Sequence, residues 1–299
     1  MRRSTFLKIA SMGALGGTVG LSGLARTLSE AKPTGQKLPV LFTSHGNPMD
    51  IPIPPYGNPF NTYLGNLGKQ IRKQYEVKAI LVFSAHWCTR ETYVNVSPWP
   101  ETLYDYYGFP KNYYTETYPA PGAPDIATAL AENFTEINAT TDWGFDHGNW
   151  PMLKHLYPEA NVPVFQVSIA YYKPAQYHYD LAAQLKEYRK KGVLIIGSGA
   201  LVHNLQLAMA KMQGGDSELY GWEMEFDEWI KDRIDDRDVK AIVDYEKNKL
   251  GQLAAPTPDH YVPVIYSMAL SDNKDDIHHT YTDMLPGFSN RSFIIESNM

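Results

Sequence analysis

Short β-rich apolar runs alternate along this chain with longer stretches of helical period. That alternation predicts a single α/β domain with a central, largely parallel mixed sheet covered by helices on both faces. Two further observations agree. Of the 299 residues 43% are hydrophobic, enough to fill a substantial core, and no internal repeat, low-complexity tract or composition break interrupts the chain after residue 38. The expected layout is an export signal over residues 1–25, a polar linker over 26–37 and one folded domain over 38–299.

Residues 1–25 (MRRSTFLKIASMGALGGTVGLSGLA) begin with a paired arginine, continue in a weakly apolar Gly/Ala/Leu stretch and contain no acidic residue, the layout of a bacterial export signal. Arg2-Arg3 followed by Phe6-Leu7-Lys8 resembles the twin-arginine type, although Ser4 and Thr5 intervene where one residue is usual. Glycines at 13, 16, 17, 20 and 23 argue against a stable amphipathic helix in water. They also interrupt the stretch too often for a span of about 20 apolar residues. A periplasmic mature protein with no stable membrane span is expected, a cytoplasmic one being the alternative.

Within the domain, LPVLFT (38–43), VKAILVF (77–83), VPVFQVSI (162–169) and VLII (193–196) read as strands buried inside a sheet. Helical candidates lie between and after them at 59–74, 123–134, 175–190 and 217–233. The segment 99–122 is different, because Tyr104, Tyr106, Tyr107, Tyr113, Tyr114 and Tyr118 sit among Pro110, Pro119 and Pro121 with no period. A long ordered loop of this kind is commonly a lid or binding loop, so Tyr104, Tyr106 and Tyr107 are candidates to contact a flat ligand. The alternative is that these tyrosines only cap a sheet edge.

The residues just past the strands carry the chemistry. The first run leads into Ser44-His45-Gly46, the second into Ser84-Ala85-His86-Trp87, and VLII into Gly197-Ser198-Gly199 and on to His203. In a parallel sheet the ligand crevice lies outside the carboxyl ends of the strands, so residues distant in sequence can converge there. The small residues beside each His are expected to leave room for a ligand. His260 stands at the start of an apolar helix-like segment, and His147 lies in Gly144-Phe145-Asp146-His147-Gly148. Neutral imidazole suits borderline transition metals. His155, His178, His278 and His279 lack this context and read as surface or structural.

The remaining composition narrows the function classes. With 27 basic against 33 acidic side chains the chain has no electrostatic footprint for nucleic acid. The single cysteine, Cys88, excludes an intrachain disulfide and a zinc ribbon; it reads as an inert buried thiol rather than a nucleophile. GxSxG at residues 197–199, a dinucleotide fingerprint, GxxxxGK[ST] and HExxH are all absent.

Taken together, SHGNP (44–48), SAHW (84–87), YDYYGFP (104–110), YPAPG (118–122), GFDHGNWPML (144–153), GSGALVHNL (197–205) and PTPDHYVPVIY (256–266) resemble the class III extradiol ring-cleavage dioxygenases of the LigB type, and within them the DOPA 4,5-dioxygenase group. The likeness runs from Leu38 to Phe293. Phe145, Ala123 and Asn290 depart from common family residues, and the export signal departs from familiar members. The resemblance implies that 38–299 is a catalytic domain and that His45, His86 and His260 hold one divalent metal. His203 would act beside it as acid/base or additional ligand, and His147 as a proton donor outside the metal ligands. It further implies a small catecholic substrate and O2, a muconic semialdehyde product, Fe(II) for ring cleavage and Zn(II) as a resting occupant. A zinc-dependent hydrolase and a non-catalytic Memo-like binding protein are the competing readings. The simultaneous presence of His45, His86, His203 and His260 favours the dioxygenase.

Arg2 and Arg3 are expected to direct export. Fractionating cells that express the wild type and the Arg2→Lys/Arg3→Lys variant should find the processed wild type outside the cytoplasm and the variant retained. Unprocessed cytoplasmic wild type would refute the signal.

Overall fold

A computed structural model describes residues 36–50 and 58–297. The expected export signal and all but the end of the linker lie outside the described residues. The described part of the linker is tied down: Lys37 Nζ reaches Asp275 Oδ1 at 2.7 Å, and the backbone N–H of Leu38 donates to Arg189 O.

The sheet-forming strands are β1 (Val40–Thr43), β2 (Ala79–Thr89), β3 (Thr92–Asn95), β4 (Ile137–Thr140), β5 (Val164–Ala170), β6 (Val193–Ser198) and β7 (Asp275–Tyr281). The short β8 (Met284–Leu285) and β9 (Phe288–Ser289) pair as a hairpin, and β10 (Ser292–Ser297) rejoins the main sheet. Spatial order is β4-β3-β5-β2-β6-β1-β10-β7. The central neighbours β5, β2, β6 and β1 are parallel; at one side β10 pairs antiparallel with β1, and the edge strand β7 pairs antiparallel with β10. This is the expected largely parallel mixed sheet.

Alternation along the central strands explains the two-sided burial. Leu81 and Phe83 of β2 and Val193 and Ile195 of β6 enter one apolar cluster, while Ile80, Val82, Leu194 and Ile196 enter the other. Both faces need helical cover. On the second face lie α1 (Pro59–Gln74) and α3 (Trp150–Leu156); α2 (Pro124–Asn133) and α4 (Ala175–Ala183) cover the first. Helix α1 follows from local rules: Asn58 Oδ1 accepts from the N–H groups of Phe60 and Asn61, Pro59 opens the first turn, and Phe60, Leu64, Leu67 and Ile71 form its buried stripe.

The later helices are α5 (Leu205–Gln213), α6 (Trp222–Asp235), α7 (Val239–Val243), α8 (Gly251–Ala254) and α9 (Val262–Ala269). Every residue of α9 is buried. Among the described residues no helix is long and apolar enough to cross a membrane.

Two helices differ from the sequence expectation, and one edge strand lies where the sequence suggests no element. The helix expected over 175–190 stops at Ala183 and a 3-10 turn follows over Lys186–Lys191. Arg189 in that turn is buried, donating to Leu38 O, Leu270 O and Asp275, and the turn sets it there. The helix expected from 217 begins at Trp222, after Gly221 at φ 95°. The acidic run before His278 and His279 leads into the edge strand β7, which Asp275 anchors through Arg189. Its polar sequence DDIHHTY gives no apolar alternation to read.

His178 is buried with Nδ1 2.6 Å from the Tyr266 hydroxyl, and burial pushes its pKa down to about 4. The unfolded chain, with an ordinary value near 6.5, binds a proton first. Stability is therefore expected to fall as pH drops from 6.5 towards 4, by about 2 kcal/mol from this group between pH 7 and pH 5. Urea midpoints at the two pH values should shift less in His178→Leu than in the wild type; an equal shift would refute the assignment.

Candidate metal centre

The centre is assembled at the carboxyl ends of β1, β2 and β6. His45 lies two residues past β1. His86 is still inside β2, because the strand continues beyond its last pair with β6, Ser84 with Ser198, and re-pairs with β5 only at Cys88. Between Phe83, paired with Val167, and Cys88, paired with Ile169, the register with β5 shifts, and His86 lies in that unpaired stretch. Past β6, the N–H of Ala200 donates to His260 O and the N–H of His203 to Ala254 O, drawing the strand exit against the segment before α9.

One nitrogen from each of His45, His86 and His260 lies within 4.8 Å of the others. His45 Nε2 and His86 Nε2 are 3.2 Å apart, and His260 Nε2 is buried with no hydrogen-bond partner. The opposite nitrogens are all engaged: His45 Nδ1 with Ser198 Oγ at 3.1 Å, His86 Nδ1 with Asp105 Oδ2 at 3.2 Å, and His260 Nδ1 with Asp259 Oδ2 at 2.5 Å. Ser198 donates its own hydroxyl to Gly148 O, so it accepts from His45. Each ring thus carries its proton on Nδ1 and turns a lone pair inward. Two nitrogens bound tetrahedrally to one ion at about 2.0 Å stand roughly 3.3 Å apart. The three imidazoles fit a divalent metal.

Electrostatics point the same way. Burial, reinforced by His86, His260, His147 and His203, holds His45 well below its ordinary value; burial also lowers His86. Neutral rings are what a metal needs. Burial alone would raise the Asp105 and Asp259 carboxyls, but the hydrogen bonds from His147 and His86, and from His260, hold each well below the usual range.

His203 and His147 flank the three. The His203 ring stacks on His260 with centroids 3.5 Å apart and planes within 3°, and burial with repulsion from His260 drives its pKa far down. The His147 ring centroid is 3.6 Å from that of His86, and its Nδ1 is 2.8 Å from Asp105 Oδ2. All five histidines singled out in the sequence therefore converge. Of the tyrosines, Tyr106 is buried with its ring at 5.5 Å from His147 and its hydroxyl on Tyr113 O. Tyr104 donates to Glu116 O within its own loop, and Tyr107, 92% exposed, is not brought to the histidines.

Two expectations are corrected. Cys88 is exposed rather than buried, and joins none of the ligand groups among the described residues; it lies where β2 re-pairs with β5 after the register shift. The glycines at the end of β6 leave room for protein, not ligand: a Cβ on Gly199, just past the strand, would stand 2.3 Å from His260 O, and one on Gly197, inside it, 2.5 Å from Pro263 O. Sequence reading missed Asp105. It lies inside YDYYGFP, where the tyrosines drew the attention, and nothing local signals that its carboxylate meets two distant histidines.

The family model described as the catalytic LigB subunit of aromatic ring-opening dioxygenase matches residues 39–292. A 4,5-DOPA dioxygenase extradiol of Escherichia coli K12 is 36% identical over 247 residues, covering 81% of this chain and 88% of the relative. One of Beta vulgaris is 33% identical over 250 residues, covering 81% and 91%. A crystal structure of an uncharacterized protein from Escherichia coli K12 superimposes with a TM-score of 0.72 at 32% identity, covering 86% of this chain and 99% of that one.

Ala at His45, His86 or His260 is expected to weaken Zn2+ binding by more than the roughly 10-fold to 100-fold that loss of an outer hydrogen-bond partner costs. Chelator competition on the purified variants measures it. Unchanged affinity in all three would remove the site.

Proposed function

This chain belongs to the LigB family and is an extradiol ring-opening dioxygenase, and from that premise we propose that it inserts O2 into the ring of a small catechol to give a muconic semialdehyde, at a divalent metal held by His45, His86 and His260. The observation that carries the reading is the convergence of three lone pairs, each fixed by an outer partner, with two further imidazoles beside them. Held by His45, His86 and His260, Fe(II) would supply a redox-capable centre with open positions for the diol and O2, whereas Zn(II), which has no accessible redox step, would give only a resting form.

The chain's own residues supply orientation and proton transfer. His203, half-buried at the edge of the cluster and neutral, is placed to take the second phenolic proton when the diol binds, and a positioned imidazole of this kind returns it later in the cycle. His147 has Nδ1 committed to Asp105, so Nε2 is the atom free to exchange a proton. The Tyr106 ring, edge-on to His147, forms an apolar wall beside these groups.

Protein loaded anaerobically with Fe(II) and mixed with a panel of catechols in air is expected to consume O2 and form a yellow ring-opened product, while the Zn(II) form does neither. His203→Ala should keep its metal and turn over about 100-fold to 10,000-fold more slowly. The dioxygenase reading is falsified if the Fe(II) form leaves every catechol untouched while the Zn(II) form hydrolyses an ester or amide. Loss of metal in His203→Ala as complete as in His86→Ala would make His203 a ligand instead.

A further inference from the structure

Asp105 holds two functional histidines from a loop that otherwise belongs to neither. Its Oδ1 accepts the backbone N–H of His147 at 2.8 Å, and Oδ2 faces His147 Nδ1 at 2.8 Å and His86 Nδ1 at 3.2 Å. Asp259, by contrast, is the sequence neighbour of the His260 it orients. Asp105 is 42 positions from His147, so its carboxylate ties together segments that no local geometry relates.

The backbone delivers it there. Thr102 bridges to Phe145, with Leu103 N–H donating to Phe145 O and Phe145 N–H to Glu101 O, both at 2.7 Å. Trp150 Nε1 then donates to Leu103 O. This short parallel pairing sets Asp105 against His147. Beyond it Tyr104 and Tyr106 donate within the loop, to Glu116 O and Tyr113 O, and the far end of the loop is held by Tyr118 donating to Tyr157 O and by Val164 N–H donating to Pro121 O. Its polar link to the histidines is the Asp105 carboxylate.

We propose that Asp105 is a positioning residue through which the aromatic loop 99–122 and the metal centre become one linked equilibrium. The inference rests on the three-histidine metal reading. An imidazole that donates Nδ1–H to a carboxylate has its Nε2 lone pair aimed and its basicity raised, and loss of such a partner costs about 10-fold to 100-fold in metal affinity. Coupling free energy is reciprocal, so metal that tightens the His86 to Asp105 contact must tighten the loop carrying Asp105 by the same factor. Asp105→Asn keeps the shape and one acceptor, but offers an NH2 group to one of the donors that Asp105 satisfies.

The test uses the full chain with Zn2+ as probe. Chelator competition should give Zn2+ affinity about 10-fold to 100-fold weaker in Asp105→Asn than in the wild type. Hydrogen–deuterium exchange of residues 99–122 in the wild type should slow on Zn2+ loading, and that response should disappear in Asp105→Asn at saturating Zn2+. The wild-type exchange measurement needs no variant, so misfolding of Asp105→Asn leaves it decisive. A wild-type loop whose exchange ignores bound Zn2+, or an Asp105→Asn protein of unchanged affinity, overturns the proposal while the metal centre stands. A wild type that binds no Zn2+, or binds it equally after His86→Ala, overturns the centre and this inference with it.

Discussion

Imidazole lone pairs crowded into one partly desolvated volume repel unless a positive charge lies between them, and much of the molecule is arranged around that constraint. With Nδ1 of His45, His86 and His260 facing Ser198, Asp105 and Asp259, the tautomers those partners favour turn Nε2 lone pairs toward one another, 3.2 Å apart for His45 and His86. Protonating an Nε2 would relieve the lone pairs but add a charge that burial and the neighbouring histidines oppose. The proposed divalent ion would resolve both problems. The outer partners would then prepare the cluster for it, fixing the tautomer and direction of each ring before any ion arrives.

Bringing those rings together required the backbone to come closer than side chains normally allow. Gly199 meets the carbonyl of His260 with no space for a Cβ, and Gly197 meets the backbone of Pro263 at the entry to α9. Gly148 is equally confined, with a Cβ there standing 2.3 Å from Ser84 Oγ and 2.9 Å from His86 Cδ2. Three chain segments that supply functional groups therefore interlock through glycines. The fully buried and mostly apolar α9 anchors the His260 side of that junction by hydrophobic contact, each large aliphatic side chain contributing roughly 1.5–3 kcal/mol.

The aromatic loop shows how an irregular segment acquires order. The hydroxyls of Tyr104 and Tyr106 donate to backbone carbonyls of the same loop, and its rings pack against one another, as in the stacked pair Tyr106 and Tyr114 at 5.4 Å. Such a segment carries its own local structure. It stands beside the histidines because of the Thr102 to Phe145 bridge and the Asp105 carboxylate, with Tyr106 inward and Tyr107 in solvent.

By itself the sequence determined the fold class, the central strands near 38–43, 77–83, 162–169 and 193–196, helix α1 over 59–74 and the histidines that gather at the strand ends. These are local matters: strands buried on both faces are continuous apolar runs, and a helix with an Asn cap, a proline next to it and a regular stripe announces its start and its face. The tertiary structure decided the rest. The polar edge strand β7 carries no alternation, the register shift that leaves His86 unpaired in β2 exists only through pairing with β5 and β6, and the buried role of Arg189 depends on Asp275 from a distant strand. Asp105 was invisible for the same reason, because what it does is set by two imidazoles that only the folded chain brings to it.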